Sequence, residues 1–226
     1  FTEGWHNVNE HYGYWLFGGL YTDTAGERFI NEEEIAQFPL AIGGEALLRA
    51  GKAYVVMDSE YYEAVKGEGI YAYLGQPESW VSGSEADYYK TTPENAETHL
   101  QQAIDEGWAF KADTVAELAE KFSLDALEAT VERYNGMCEA GEDTDYYKKP
   151  VFLTPVKEGP FYALKVGPAL LAIPGGLRTN VDFQCLDAEG QPIEGLYALG
   201  NVMGDICAVD YPINVAGNSH GRCITY

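Results

Sequence analysis

Two glycine turns near the end of this 226-residue chain combine residue types suited to holding an electron-rich group. The first, Gly200-Asn201, follows the apolar run Gly195-Leu-Tyr-Ala-Leu199; the second, Gly217-Asn218-Ser219, opens a segment of helical character that continues through Arg222. Glycine lets a backbone approach a ligand closely, and the first N–H groups of a helix have no intrahelical partner. Gly217, Asn218 and Ser219 therefore offer N–H groups at the positive end of a helix dipole, worth on the order of 1 kcal/mol toward a partly buried negative charge. A cofactor edge would fit there, although an ordinary Asn/Ser N-cap after a glycine turn reads the same in isolation. His11 and His220 read as structural residues rather than proton carriers.

Such turns need elements to position them, and 226 residues with 46% hydrophobic and 13% aromatic side chains can build one large or two small domains. Trp15 to Tyr21 reads as a strand, Asp23-Thr-Ala-Gly26 as a turn and Arg28-Phe-Ile-Asn31 as an extended piece. Glu32 to Arg49 is helical in part, with Glu32, Glu33 and Glu34 at its start where the dipole favours acids. Ala53-Tyr-Val-Val-Met57 is a buried strand closed by Asp58, and Tyr61 to Thr92 reads as surface loops and short helices or as a Tyr-lined binding face. Thr114 and Glu117 have capping-box spacing ahead of one helix; a second, Leu124 to Ala140, puts Leu124, Leu127, Val131 and Tyr134 on one face and ends at Gly141. Short strands follow at Tyr162–Val166, around Gly175–Asn180 and at Phe183–Leu186, and Leu196–Leu199 is expected as the final core strand. Helices grouped apart from short strands predict an α+β fold.

The formal charge is −22, of which residues 156–226 carry −3 and residues 1–155 carry −19. That balance argues against nucleic acid, whose binding needs Lys and Arg to displace counterions. The acid excess is expected on a solvated surface. Cys138, Cys185, Cys207 and Cys223 form no CxxC pair and have no His at ligand spacing, so no metal site is expected and the thiols read as unpaired and mostly buried. No apolar window of about 20 residues and no leader-like start is present in this chain, and the compartment stays open between cytoplasmic and exported.

The order Gly26-Glu-Arg-Phe-Ile-Asn-Glu32, then Gly195-Leu-Tyr-Ala-Leu-Gly-Asn201, then Ala216-Gly-Asn-Ser219 resembles the fumarate reductase/succinate dehydrogenase-like flavoproteins. Their usual form is Pro-Gly-Leu-Tyr-Ala-Ala-Gly-Glu followed by Gly-Gly-Asn-Ser/Ala and a helix. The resemblance implies FAD as cofactor, with Gly200, Asn201, Gly217, Asn218 and Ser219 binding it, and an oxidoreductase that moves a hydride. It also implies three parts: residues 1–29 as lead-in and linking strand of an FAD domain, 30–155 as a helix-rich cap over substrate, and 156–226 as the C-terminal part of the FAD domain. The Gly-x-Gly-x-x-Gly pyrophosphate turn, which that family carries near its N-terminus, is absent here, so the chain is expected to be a piece of a longer enzyme that binds FAD weakly or not at all alone.

Departures from the family narrow the substrate. The proton-delivering Arg of fumarate reductases falls near Ala36, their carboxylate-binding His pair on Leu171-Ala172 and a second Arg on Asn214, so a dicarboxylate has no cationic clamp. Asp210-Tyr-Pro-Ile-Asn214 is similar instead to the Tyr-Pro-Gly segment of flavin-dependent 3-ketosteroid dehydrogenases, where the Tyr hydroxyl polarises a ketone; Ile213 stands where that pattern has Gly. Tyr211 and Asn214 are the catalytic candidates, with packing the competing role for Tyr211. Where the family has Glu gripping a ribityl hydroxyl, Asn201 keeps an acceptor without the charge. The expected chemistry is hydride transfer next to the carbonyl of an enone or ketosteroid-like small molecule, with the electron donor or acceptor open. A dicarboxylate reductase and a non-catalytic binding domain that keeps the fold are the alternatives.

Overall fold

A run of five apolar residues between Gly51-Lys52 and Asp58 has nowhere to turn a polar face, and Ala53–Met57 (β2) is accordingly buried along its whole length at the centre of a sheet. The computed structural model of the chain describes residues 19–37, 42–68, 93–168, 176–204 and 217–225. They fall into two units, the first of residues 19–37 and 43–168 and the second of residues 176–225 together with Ile42.

In the first unit Leu20–Thr22 (β1), β2, Ala109–Ala112 (β3) and Phe161–Val166 (β4) form an antiparallel sheet in the order β1-β2-β4-β3. Val55 lies opposite both Tyr21 and Leu164, and the strand period of two divides the core between two faces. On one face Tyr21, Val55, Met57 and Leu164 pack with Leu47 of helix Ile42–Ala50 (α2), Tyr61 and Tyr62 of Ser59–Glu68 (α3), and Leu100 and Ala103 of Pro93–Asp105 (α4). On the other, Leu20, Val56 and Ala163 pack with Leu118 of Val115–Phe122 (α5) and Leu127, Val131 and Tyr134 of Leu127–Ala140 (α6). Helices over both faces of an antiparallel sheet confirm the α+β class.

The capping signal at Thr114 is present: its side chain accepts from the Glu117 N–H at 3.2 Å, while Glu117 reaches back to the Asp113 N–H at 2.9 Å. The second helix begins at Leu127, three residues later than its periodicity suggests, because Ser123 adopts a left-handed φ of 56° that closes α5. Leu124 is nonetheless buried with Leu127, Val131 and Tyr134, and Gly141 ends α6 at φ 69°. Asp58 caps α3 through the Tyr61 N–H (2.8 Å) and also accepts from the N–H groups of Lys157 and Glu158 (2.9 and 3.1 Å).

The expected domain boundary at residue 155/156 falls inside this first unit. β4 is the reason, since it pairs on one side with β2 and on the other with β3. The acid excess is also less solvated than expected: Glu32, Glu33, Asp58 and Asp143 are buried.

The second unit holds the hairpin Gln184–Leu186 (β5) and Pro192–Tyr197 (β6), a 3-10 turn at Gly200–Val202 and helix Asn218–Thr225 (α7). Asp187 closes the hairpin loop by accepting from the Glu189 and Gln191 N–H groups at 3.0 and 2.7 Å. Leu196–Leu199 departs from the expected core strand: β6 stops at Tyr197 and is exposed along its length, and of the four only Ala198 is buried. Among the described residues its strand partner is β5, and the apolar cluster beneath comprises Cys185, Ala198 and Met203 with Phe183 against them.

Among the described residues Cys138, Cys185 and Cys223 are free thiols, half-buried, buried and exposed in that order; Cys207 lies outside them. No described helix is long and apolar enough to cross a membrane, and no group of three His, Cys, Asp or Glu among the described residues could hold a metal.

Candidate cofactor site

In the second unit a strand-like pair of backbones sets up the first glycine turn. Leu177 and Met203 form a parallel bridge, with the Leu177 N–H on the Val202 carbonyl (2.9 Å) and the Gly204 N–H on the Leu177 carbonyl (2.8 Å). The backbones come so close that a Cβ on Gly176 would stand 2.2 Å from the Val202 carbonyl oxygen. The turn that precedes this contact begins at Gly200, whose φ is +67° and whose missing Cβ would meet Cys223 Sγ at 2.8 Å. Glycine is therefore required at 200 twice over, by backbone conformation and by the helix lying against it.

That helix is α7. Gly217 precedes it at φ +78°, with open space where a Cβ would point. The Gly221 N–H, bonded to the Gly217 carbonyl at 2.7 Å, closes the first turn, so the N–H groups of Asn218, Ser219 and His220 lie ahead of the first intrahelical bond. Arg222, on the next turn, donates from Nη2 to the Gly200 carbonyl at 3.1 Å and to Asn201 Oδ1 at 2.9 Å. Its Nε and Nη1 are buried and have no hydrogen-bond partner among the described residues. These features fit FAD's electron-rich ring edge: a glycine cradle, helix N–H groups and a cation with donors to spare.

Gly200, Asn201, Gly217, Asn218 and Ser219 are thus placed on a turn and on the start of a helix, and Arg222 and Cys223 link that helix to that turn. Tyr211, Asn214, Leu171, Ala172 and His11 lie outside the described residues; Ala36 lies on Glu32–Gln37 (α1) and His220 is exposed on α7. Sequence reasoning missed Arg222, for which the available signal was its standing as one of four cations in residues 156–226. An Ala at position 200 incurs about 1–2 kcal/mol from the left-handed backbone alone, and the sulfur contact adds to it. Gly200→Ala should therefore lower the unfolding midpoint in urea. Cys223→Ala in the same chain should recover only the contact, and full recovery would show that backbone conformation does not matter.

A second cluster of charged groups lies in the first unit. Arg28 spans Glu32 (Nε to Oε1 2.8 Å, Nη2 to Oε2 2.7 Å) and Asp143 (Nη1 to Oδ1 2.9 Å, Nη2 to Oδ2 2.7 Å), with its guanidinium carbon 4.9 Å from the ring centres of both Tyr134 and Tyr146. Lys148, also buried, reaches Glu32 at 3.3 Å and the Tyr134 hydroxyl at 3.0 Å. Burial opposes the charge on Asp143, but hydrogen bonds from Arg28 and from the Tyr146 and Lys148 N–H groups win and hold its pKa well below the usual carboxylate range. Burial likewise pulls Arg28 down, and Glu32 and Asp143 more than compensate; Lys148 is raised because Glu32 and Tyr134 outweigh its burial. Two cations face two carboxylates whose oxygens are occupied, so the cluster holds structure.

With the geometry in view, the likenesses to known proteins fall into place. A family described as an FAD binding domain matches residues 14–214. The vinyl phenol reductase of Lactiplantibacillus plantarum is 31% identical over 204 residues, which cover 89% of this chain and 40% of that protein. The 3-oxosteroid 1-dehydrogenase of Mycolicibacterium smegmatis is 30% identical over 233 residues, covering 92% of this chain and 37% of that one. The fold matches the 3-ketosteroid delta1-dehydrogenase of Sterolibacterium denitrificans in complex with 1,4-androstadiene-3,17-dione, with a TM-score of 0.64 and 24% identity over 94% of this chain and 38% of that one. The chain therefore spans about two fifths of the length of these relatives. FAD is the cofactor the family implies, and the match over residues 14–214 shows that this chain belongs to the FAD-binding domain family.

Proposed function

We propose that the chain is part of a flavin-dependent oxidoreductase that transfers a hydride between FAD and a carbon–carbon bond next to a carbonyl, on a neutral enone or oxosteroid-like substrate. The observation that carries this reading is the junction in the second unit, where the Gly200 turn is held by Arg222 against a helix that begins at Gly217-Asn218. Bound there, FAD supplies the redox step. The N–H groups of Asn218 and Ser219 favour the negative charge that reduction brings, and Gly200 and Asn201 hold the cofactor in place. Tyr211 and Asn214 donate hydrogen bonds to one ketone oxygen, which acidifies the neighbouring C–H or stabilises the enolate. We read the first unit as the cap and the second as the C-terminal part of the FAD-binding domain.

Two considerations favour a neutral substrate over fumarate. Ala36, Leu171-Ala172 and Asn214 place no cation where the resembled fumarate reductases keep theirs, and leaving carboxylates unpaired in a closed site costs several kcal/mol. Relatives that cover about nine tenths of the chain are named for a vinyl phenol or a 3-oxosteroid, both uncharged molecules. The test is anaerobic reoxidation of the reduced flavin in the whole protein. A 3-oxo enone should reoxidise it at a rate that fumarate does not approach, and rapid reoxidation by fumarate would refute the substrate class.

A further inference from the structure

Asn201 is an amide where the resembled flavoproteins carry a carboxylate, and the structure shows what its oxygen does. Oδ1 accepts from Arg222 Nη2 at 2.9 Å. A guanidinium has five N–H donors and no acceptor, so the amide atom that faces it has to be the oxygen. The other end of the amide is Nδ2, which only donates, and Asn201 is exposed to solvent. One of the two lone pairs of Oδ1 is thereby committed to Arg222.

We infer that Arg222 is a positioning residue that holds the Asn201 amide with Oδ1 turned to the guanidinium, so that Nδ2 is the end left to donate to an oxygen on the cofactor. This rests on the reading of the Gly200-Asn201 turn as a flavin site. Arg222 is suited to the task because the same Nη2 also grips the Gly200 carbonyl at 3.1 Å, which fixes the guanidinium relative to the turn. Its Nε and Nη1 are buried without partners, so no other acceptor competes for it among the described residues. A carboxylate at position 201 would also pair with Arg222, but its second oxygen would face the ligand as an acceptor. Asn in place of Glu therefore inverts the polarity of the contact as well as removing a charge.

The test uses Asn201→Asp, which matches Asn in shape, keeps an oxygen for Arg222 and replaces the outward donor by an acceptor. FAD is titrated into flavin-stripped whole protein and followed by flavin fluorescence, alongside the Tm of the flavin-free protein. Wild type should bind FAD, and Asn201→Asp should bind it at least about tenfold more weakly, with a flavin-free Tm equal to or above wild type because of the new charge pair with Arg222. Asn201→Ala, which removes the donor without adding charge, should also weaken binding. In an Arg222→Met background the amide is free to turn, so the penalty for Asn201→Asp should shrink, a coupling that a purely structural role of Arg222 would not produce. Undiminished FAD affinity in Asn201→Asp or Asn201→Ala, with wild type binding normally, would overturn the donor assignment alone. A wild-type whole protein that binds no FAD would overturn the flavin-site reading and this inference with it.

Discussion

Tyr211→Phe is expected to lower turnover of an enone or ketosteroid-like substrate by about 10²–10³-fold in the whole enzyme, the usual effect of removing one donor from a developing oxyanion. The substitution deletes a single hydroxyl and keeps the ring, so whatever packing Tyr211 provides survives. FAD should stay bound with an unchanged absorption spectrum, because the cofactor contacts proposed above come from other residues. A hydrogen bond that strengthens as charge moves onto the ketone oxygen acts on the transition state, so the loss should appear in kcat more than in KM. Asn214, a weaker donor in the same segment, should give a smaller loss on replacement by Leu. Unchanged turnover of the true substrate by Tyr211→Phe, with flavin bound, would refute the catalytic role and leave packing as the function of this side chain.

The largest stability effect is expected at Arg28. Its side chain is 5% exposed and bonds to two carboxylates that are themselves fully buried. Arg28→Met keeps much of the aliphatic stem but leaves Glu32 and Asp143 with Lys148 as the one buried cation nearby among the described residues. Breaking a buried pair from one side costs about 3–5 kcal/mol, which should be visible as a lower midpoint in urea. Replacing Arg28, Glu32 and Asp143 together by apolar residues of similar volume should cost less than Arg28→Met alone, because no uncompensated charge remains. A larger loss in the triple variant would show that the cluster contributes net stability.

The same cluster sets an acid limit. Asp143 titrates below its ordinary value in the folded chain, so its contribution is present above that ordinary value of about 4 and is lost as the pH falls from there toward the depressed folded value. Urea midpoints measured from pH 5 downward should fall more steeply for wild type than for Asp143→Asn, which has no proton to take up at this position. Parallel slopes would remove Asp143 from the account of acid unfolding.

Local rules were enough to read much of this protein from its residues. The helix start at Thr114, the helix end at Gly141, the buried strand Ala53–Met57 and the helix opening at Asn218 all depend on neighbours a few positions away, where capping, glycine backbone freedom and strand or helix period act. The motif from Gly26 to Glu32 and the Gly200-Asn201 turn were likewise legible as those of a flavoprotein, and the family match over residues 14–214 spans both.

What the tertiary structure decided involves residues far apart in the chain. Gly26 is required because a Cβ there would stand 2.7 Å from the Leu127 nitrogen, and Arg28 and Glu32 are buried because Asp143 and Lys148 arrive from more than a hundred residues away. The three acids that open α1 read as acids placed where a helix dipole favours them; two are also buried and paired with cations from the 143–149 loop, which no local pattern announces. Phe161–Val166 reads as a strand from its own composition, yet only its pairing with β2 and β3 shows to which unit it belongs. Asn201 follows the same logic. Its type was plain in the sequence, but that its oxygen pairs with Arg222, a cation 21 residues away with N–H donors and no acceptor, only the tertiary structure shows.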